Sequence, residues 1–219
     1  MAAVLPLEND RSSANLYPMS PRRSAAEAAG TRAAIVERAL HVGSVDGLEG
    51  LTIGRLAGDV GMSKSGLIGH FGTKRDLQLA ALEAAQRRFR AEVWHPVADE
   101  EPGYPRLRAA AESWISYLER GVFPGGCFFA AATMELDAHP GPVRDRLAKG
   151  MTSWLDTLAT DAREAQRVGD LPAEPPAEQL AFELQGVVFA TNWAIQLLHD
   201  GGAPDRGRRG IDRLIPSLR

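Results

Sequence analysis

Apolar residues recur along this chain at spacings of three and four, and the strict alternation typical of strands is almost absent, so helices are predicted throughout. The first twenty-odd residues mix Pro, Ser, Asn and Arg with few apolar positions and read as a flexible arm over 1–23. Ser24 and Glu27 have capping-box spacing ahead of a stripe at Ile35, Val36, Ala39 and Leu40, although Gly30 allows a start as late as Thr31. Residues 43–50 read as a loop. Three hydroxyl caps then come in close succession. Thr52 opens a short helix that Gly61 stops, Ser63 opens a second over 64–71 that Gly72 stops, and Thr73 with Asp76 opens a third reaching about Trp94. Two short helices joined by a Gly61-Met62-Ser63 turn predict a helix-turn-helix.

A polar connection over 96–105 marks the predicted domain boundary. Beyond it the pattern predicts helices carrying Leu107, Ala111, Trp114 and Leu118; Cys127 to Leu136; Val143 to Ala165, ended by Gly169; Ala177 to His199; and a last one over 205–215. The predicted organisation is an arm (1–23), a helix-turn-helix domain (24–72), a connecting helix (73–95) and a larger helical domain (96–219).

Composition narrows the class. Hydrophobic residues at 44% and charged residues at 24% suit a folded globular chain and exclude a collagen-like or broadly disordered one. Apolar runs break well short of the ~20 residues of a membrane span, and Glu8 and Asp10 argue against a secretory leader, so a cytoplasmic protein with no membrane contact is expected. The net charge of -3 hides an uneven distribution. Residues 21–95 hold 11 Lys and Arg against 8 Asp and Glu, while residues 96–219 hold 13 against 18. That asymmetry points the first part toward a polyanion. Two of the three lysines, Lys64 and Lys74, fall in the helix-turn-helix.

The segment TIGRLAGDVGMSKSGLIGHFGTK (52–74), with TRAAIVERAL upstream, resembles the DNA-binding domain of the TetR (tetracycline-repressor-like) family of bacterial transcription regulators. The matching features are Thr31-Arg32, Ile35, Ala39, Gly50, Leu56-Ala57, Gly61, Ser63-Lys64, Leu67, His70-Phe71, Lys74 and Leu77. Physical chemistry supports the same reading. Each helix start offers free N–H groups and a partial positive charge, so Thr52, Ser63 and Thr73 mark three potential phosphate sites, with Arg55, Lys64, Lys74 and Arg75 nearby. Residues on the 64–71 helix would meet base edges, while phosphate contacts hold the register. Candidate DNA contacts are therefore Thr31, Thr52, Arg55, Ser63, Lys64, Ser65, Gly66, Ile68, His70, Thr73 and Lys74. The resemblance implies that Thr52, His70 and Lys74 touch the backbone. The sequence departs from the family at Gly66, where Thr is usual, and at Ile68, where Tyr is usual. The glycine costs helix stability, and the isoleucine exchanges a phosphate-seeking hydroxyl for a group that suits a thymine methyl.

The 177–199 segment is apolar on two faces: Leu180, Leu184, Val188, Ile195 and Leu198, then Phe182, Gly186, Phe189, Trp193 and Leu197. One face suits the core and the other a second subunit. The resemblance implies a homodimer reading a palindromic operator on double-stranded DNA, released by a small apolar or aromatic inducer. Trp114, Tyr117, Phe128, Met134, Met151, Trp154, Phe189, Asn192 and Trp193 are candidate pocket residues, with Phe129 beside them and Thr133 and Gln185 as further polar anchors. Taken singly, each reads first as ordinary core, since aromatics at helical spacing are usually core; the pocket reading belongs to the group.

No metal spacing, cofactor motif or nucleophile–base pairing stands out, and Glu135 with Asp137, two apart, make a poor acid/base pair. The lone Cys127 reads as a buried thiol before an oxidant sensor. The expected fold is all-α: an N-terminal three-helix DNA-binding domain and a larger C-terminal ligand-binding and dimerisation domain. The expected function is a ligand-released repressor without enzymatic activity or cofactor. The alternatives are a regulator controlled by a protein partner or by abundance, and, more remotely, a helical enzyme.

Overall fold

The computed structural model describes residues 21–217, and within them every regular element is helical. The head is built from α1 (Pro21–Asp46), α2 (Ile53–Asp59), α3 (Lys64–Phe71) and α4 (Lys74–Phe89). A π turn (Arg90–Trp94) and a 3-10 turn (His95–Val97) lead into α5 (Tyr104–Glu119), α6 (Phe128–Leu136), α7 (Pro142–Val168), α8 (Ala177–Leu198) and α9 (Ala203–Leu214). The expected arm over 1–23 lies outside the described residues except for 21–23, which begin α1.

Two glycines behave differently from expectation. Gly30 does not interrupt α1, which runs unbroken from Pro21, because the residue faces solvent and a helix of 26 residues absorbs the propensity cost of about 1 kcal/mol. Gly43 lies within the helix too. A Cβ there would stand 2.8 Å from the Phe128 ring, so this glycine admits an aromatic neighbour and ends nothing. The loop shrinks to residues 47–50, opened by Gly47 at φ +74°.

In the head, Ile35, Ala39 and Val42 fall on one face of α1 and pack with Leu56, Leu67, Phe71 and Leu77. Each fully buried leucine contributes about 1.5–3 kcal/mol. This small core fixes α3 against α2 and α4 and leaves its opposite face free. The apolar core then continues without a break through Leu82 and Phe89 into the larger part of the molecule. There α8 buries Leu180, Leu184, Val188 and Thr191, while Phe182, Trp193, Leu197 and Leu198 stand half or more exposed. Leu198 thus leaves the inner stripe, as α8 closes there on a left-handed His199 (φ 53°).

Two joints tie the helices of the larger part to each other and to the head. Asp161 of α7, 1% exposed, accepts bonds from the Gly103 N–H (3.2 Å) and from Arg106 Nε and Nη2 (2.9 and 2.7 Å), anchoring the start of α5. At the other joint α1 meets the chain leading into α6. The Gly125 N–H donates to Ser44 Oγ (3.3 Å), and a Cβ on Gly125 would fall on the Ser44 carbonyl.

Candidate nucleic-acid interface and ligand cavity

The three predicted caps are in place. Thr52 Oγ1 accepts from the Arg55 N–H at 3.2 Å, Ser63 Oγ from Gly66 at 3.1 Å, and Thr73 Oγ1 from Asp76 at 3.1 Å. Between them α3 turns Leu67 and Phe71 inward and leaves Lys64, Ser65, Ile68 and Gly69 in solvent, with Ile68 46% exposed. An isoleucine held open on a short polar helix is available to a partner. His70 is half-buried beside Phe71, and Arg32 of α1 lies over the same ring at 4.3 Å.

The cations near this face differ in how free they are. Among the described residues Lys64 makes no ion pair, whereas Arg55 meets Asp46 at 2.7 Å. Lys74 is more committed still. Its Nζ donates to the Glu49 carbonyl (2.9 Å) and to Glu49 Oε2 (2.7 Å), which clasps the 47–50 turn. Gln78 adds a bond to the Leu48 carbonyl at 2.8 Å. From the opposite side Glu135 of α6 accepts the Leu48 and Glu49 N–H groups at 2.6 and 2.7 Å. Lys74 and Gln78 hold the Glu49 carboxyl below its ordinary range, so the clasp is intact at neutral pH and loosens as pH falls through that lowered value. Glu135 is thus a long-range tie between α6 and the head, 87 residues from its partner; no local pattern announces such a bond.

Behind the end of α4 lies a part-open cavity of about 450 Å³. Phe89 is its aromatic hub, meeting Trp114, Phe129 and Trp154 edge-on at 5.1–5.7 Å. Trp94 closes on Trp154 at 6.1 Å. The π turn contributes both of its ends, Arg90 and Trp94, to the lining, and α7 contributes Arg146, Lys149, Met151 and Trp154. Such turns are frequent at functional sites.

Residues 103–211, about half of the chain, match the family of tetracyclin repressor-like C-terminal domains. The chain belongs to the TetR family. Its fold resembles a TetR transcriptional regulator from Chloroflexus aurantiacus, 23% identical, over 87% of this chain and 94% of that one (TM-score 0.78). SCO4454, a TetR-family regulator from Streptomyces coelicolor, is 24% identical over 92% and 97% (TM-score 0.70). AibR, solved with isovaleryl coenzyme A and operator DNA, is 23% identical over 85% and 98% (TM-score 0.69). No curated protein matches the sequence significantly. TetR-family members are transcriptional regulators, not enzymes. Among the described residues no helix is long and apolar enough to cross a membrane.

The candidate DNA contacts in this TetR-family fold differ in exposure. Thr52, Ser63, Lys64, Ser65, Ile68 and Thr73 are exposed, Gly66 and His70 are partly covered, and Thr31 donates its hydroxyl back to the Glu27 carbonyl at 3.0 Å. The candidate pocket residues divide. Trp114, Met151 and Trp154 line the cavity, as does Phe129. Tyr117 and Phe128 are sealed in the core at 1% and 0% exposure: both pack on Phe123, and Tyr117 lies behind Phe89 rather than in the cavity lining. Met134 and Trp193 point to solvent, and Phe189 packs against the core. Asn192 and Thr133 spend their polar groups on the Cys127 N–H and the Phe129 carbonyl. Gln185 does not line the cavity either; the residue is half-buried, with its amide enclosed and without a hydrogen-bond partner among the described residues. Burial pushes the Cys127 thiol up to about 11, which leaves it protonated and unreactive at neutral pH. The sequence reading missed Phe89 and Trp94, which sit on the connecting segment, and the three cations at the rim.

Proposed function

We propose that this TetR-family protein is a homodimeric repressor that grips a palindromic operator through α3 and lets go when a small molecule fills the cavity behind α4. The observation that carries the DNA reading is the outward face of α3, together with the capped starts of α2, α3 and α4, whose cap residues Thr52, Ser63 and Thr73 are all exposed. On this reading Lys64, Ser65 and Ile68 meet base edges, and Thr31, Arg55, His70 and the Thr52, Ser63 and Thr73 helix starts meet phosphates. Gly66 lets α3 approach closely. Lys74 acts chiefly by holding the 47–50 turn, since its ammonium is already engaged by Glu49. The proposed domain division assigns 24–72 to DNA, 73–95 to the connection and 96–219 to ligand and partner.

Lys64→Ala is therefore expected to weaken binding to all DNA sequences alike and to reduce the salt slope of log K by about one. Fluorescence anisotropy at several salt concentrations on operator and unrelated duplexes measures both. An unchanged slope removes Lys64 from the interface.

The outer face of α8 supports the dimer. Phe182, Trp193 and Leu197 are 66%, 54% and 64% exposed, and a Cβ added at Gly186 between them would meet nothing beyond its own helix within 4 Å among the described residues. That is an apolar strip with a gap for a second backbone. Trp193→Asp should yield a folded monomer in sedimentation, with unchanged helicity and weakened operator binding. A dimer of wild-type mass would place the interface elsewhere.

The cavity supports ligand control. Phe89, Arg90 and Trp94 lie at the junction of the connecting helix, so a ligand lodged there acts on the segment leading to the DNA-reading head. Phe129 of α6 shares the cavity wall, and the next residue back, Phe128, packs on Gly43 of α1. AibR, of the same fold, was solved with an acyl thioester and with DNA, which is consistent with both activities in one molecule.

A further inference from the structure

We infer that the cavity behind α4 takes an amphiphilic organic anion: an aromatic or alkyl body bearing a carboxylate or phosphate head. The inference rests on the ligand-controlled reading above and narrows the ligand's chemistry.

The charge pattern comes first. Arg90, Arg146 and Lys149 line the cavity, and no carboxylate among the described residues does. None of the three forms an ion pair with a described residue, although residues 96–219 carry more acids than bases. Within 90–217 only Arg209 and Arg213 share that condition; Arg106, Arg108, Arg120, Arg144, Arg163, Arg167, Arg206 and Arg208 each meet an Asp or Glu. The cavity rim is thus a local positive island on an acidic body, which attracts anions and repels amines.

The walls set the rest. Phe89, Trp94, Trp114 and Trp154 form an edge-to-face box that accepts a flat ring or an alkyl chain. Two wall groups are unsatisfied: the indole N–H groups of Trp114 and Trp154 are buried and have no acceptor among the described residues. Buried donors without partners cost stability, and indole, ammonium and guanidinium groups can only donate. The acceptors on the wall are the neutral side chains of Gln86, Ser153 and Thr157, and no anionic one among the described residues faces the cations. A neutral hydrocarbon would leave the indoles and cations unanswered, whereas a carboxylate or phosphate supplies several acceptor oxygens, and arginine's fork fits either head. The volume, about 450 Å³, falls within the usual range for small-molecule sites.

Calorimetric titration of the intact protein tests this with matched probes: 1-naphthaleneacetate, 1-naphthyl phosphate and decanoate against the neutral 1-naphthaleneacetamide and decanamide. At least one anion should saturate at one per chain and bind about tenfold or more tighter than its neutral counterpart. Comparing the two naphthyl anions tells a carboxylate head from a phosphate. The preference should shrink with added salt and disappear in the double variant Arg146→Gln, Lys149→Gln, while amide affinity stays the same. Both side chains reach solvent, and a melting curve checks that the variant is folded. Amides binding as well as acids, no anion saturating, or a preference that survives the double variant would each overturn the inference. A gel shift separates this from the regulatory reading. An anion that binds but never releases operator defeats ligand control alone, and release by neutral amides only defeats the anion.

Discussion

Gly125→Ala is expected to be among the most damaging single-atom additions to this protein. The new methyl would coincide with the Ser44 carbonyl and lie 2.8 Å from the Val45 nitrogen, both of them backbone atoms that no rotamer change can move. Forcing atoms into a packed site costs about 1–3 kcal/mol, and more where backbone must yield. We expect a loss near or above the top of that range in urea unfolding. The surviving folded protein should bind operator less tightly, because the α1–α6 joint sets where the head sits. Gly121→Ala is a different kind of control: it has φ +58° and nothing within 4 Å, so it measures the cost of backbone conformation without a collision. Equal losses in the two variants would remove the steric account of the joint.

Asp161→Ala should cost about 3–5 kcal/mol, the usual penalty for leaving one member of a buried ion pair alone. The carboxylate is 2% exposed and answers three donors at once: both nitrogens of the Arg106 fork and the Gly103 N–H. Gly103 opens α5 without a side-chain cap of its own, so Asp161 caps that helix from α7. Removing it strands a half-buried guanidinium and a helix start together. The damage should extend to ligand binding, since Arg106 also lies over the Trp94 ring at 5.4 Å. Chemical denaturation and titration of a bound anion read the two effects separately. A loss under 1 kcal/mol would show that water replaces the carboxylate adequately.

Local signals in the sequence guide most of the structure, with Ser24 as the exception: expected to open the first helix, it lies inside α1, which starts at Pro21. Thr52, Ser63 and Thr73 are caps because a hydroxyl at the right place needs only its own helix, and Gly61, Gly72 and Gly169 adopt positive φ within the turns the pattern marked. Signals that depend on distant partners were not legible. Gly43 reads as a breaker until Phe128 is seen occupying the space its side chain would need. The sequence sets Glu135 aside only as half of a poor acid/base pair with Asp137, because the N–H groups it holds lie more than eighty residues away. In the pocket, helical periodicity identified Trp114, Met151 and Trp154 as inward-facing but could not separate cavity from core. Tyr117 and Phe128, with the same spacing credentials, fell on the core side. Arg146 and Lys149 carry no sequence mark at all; their meaning comes from the carboxylates that are missing around them.

The clasp on the 47–50 turn has a consequence for how this protein should be measured. The turn is steered by an ammonium and two carboxylates, much of it in reach of solvent, so the tilt of the head responds to dissolved ions before any duplex is present. A salt titration on DNA therefore mixes counterion release with a mechanical softening of the free protein. Amide exchange at Leu48 and Glu49, followed without nucleic acid, supplies the baseline that such titrations must subtract.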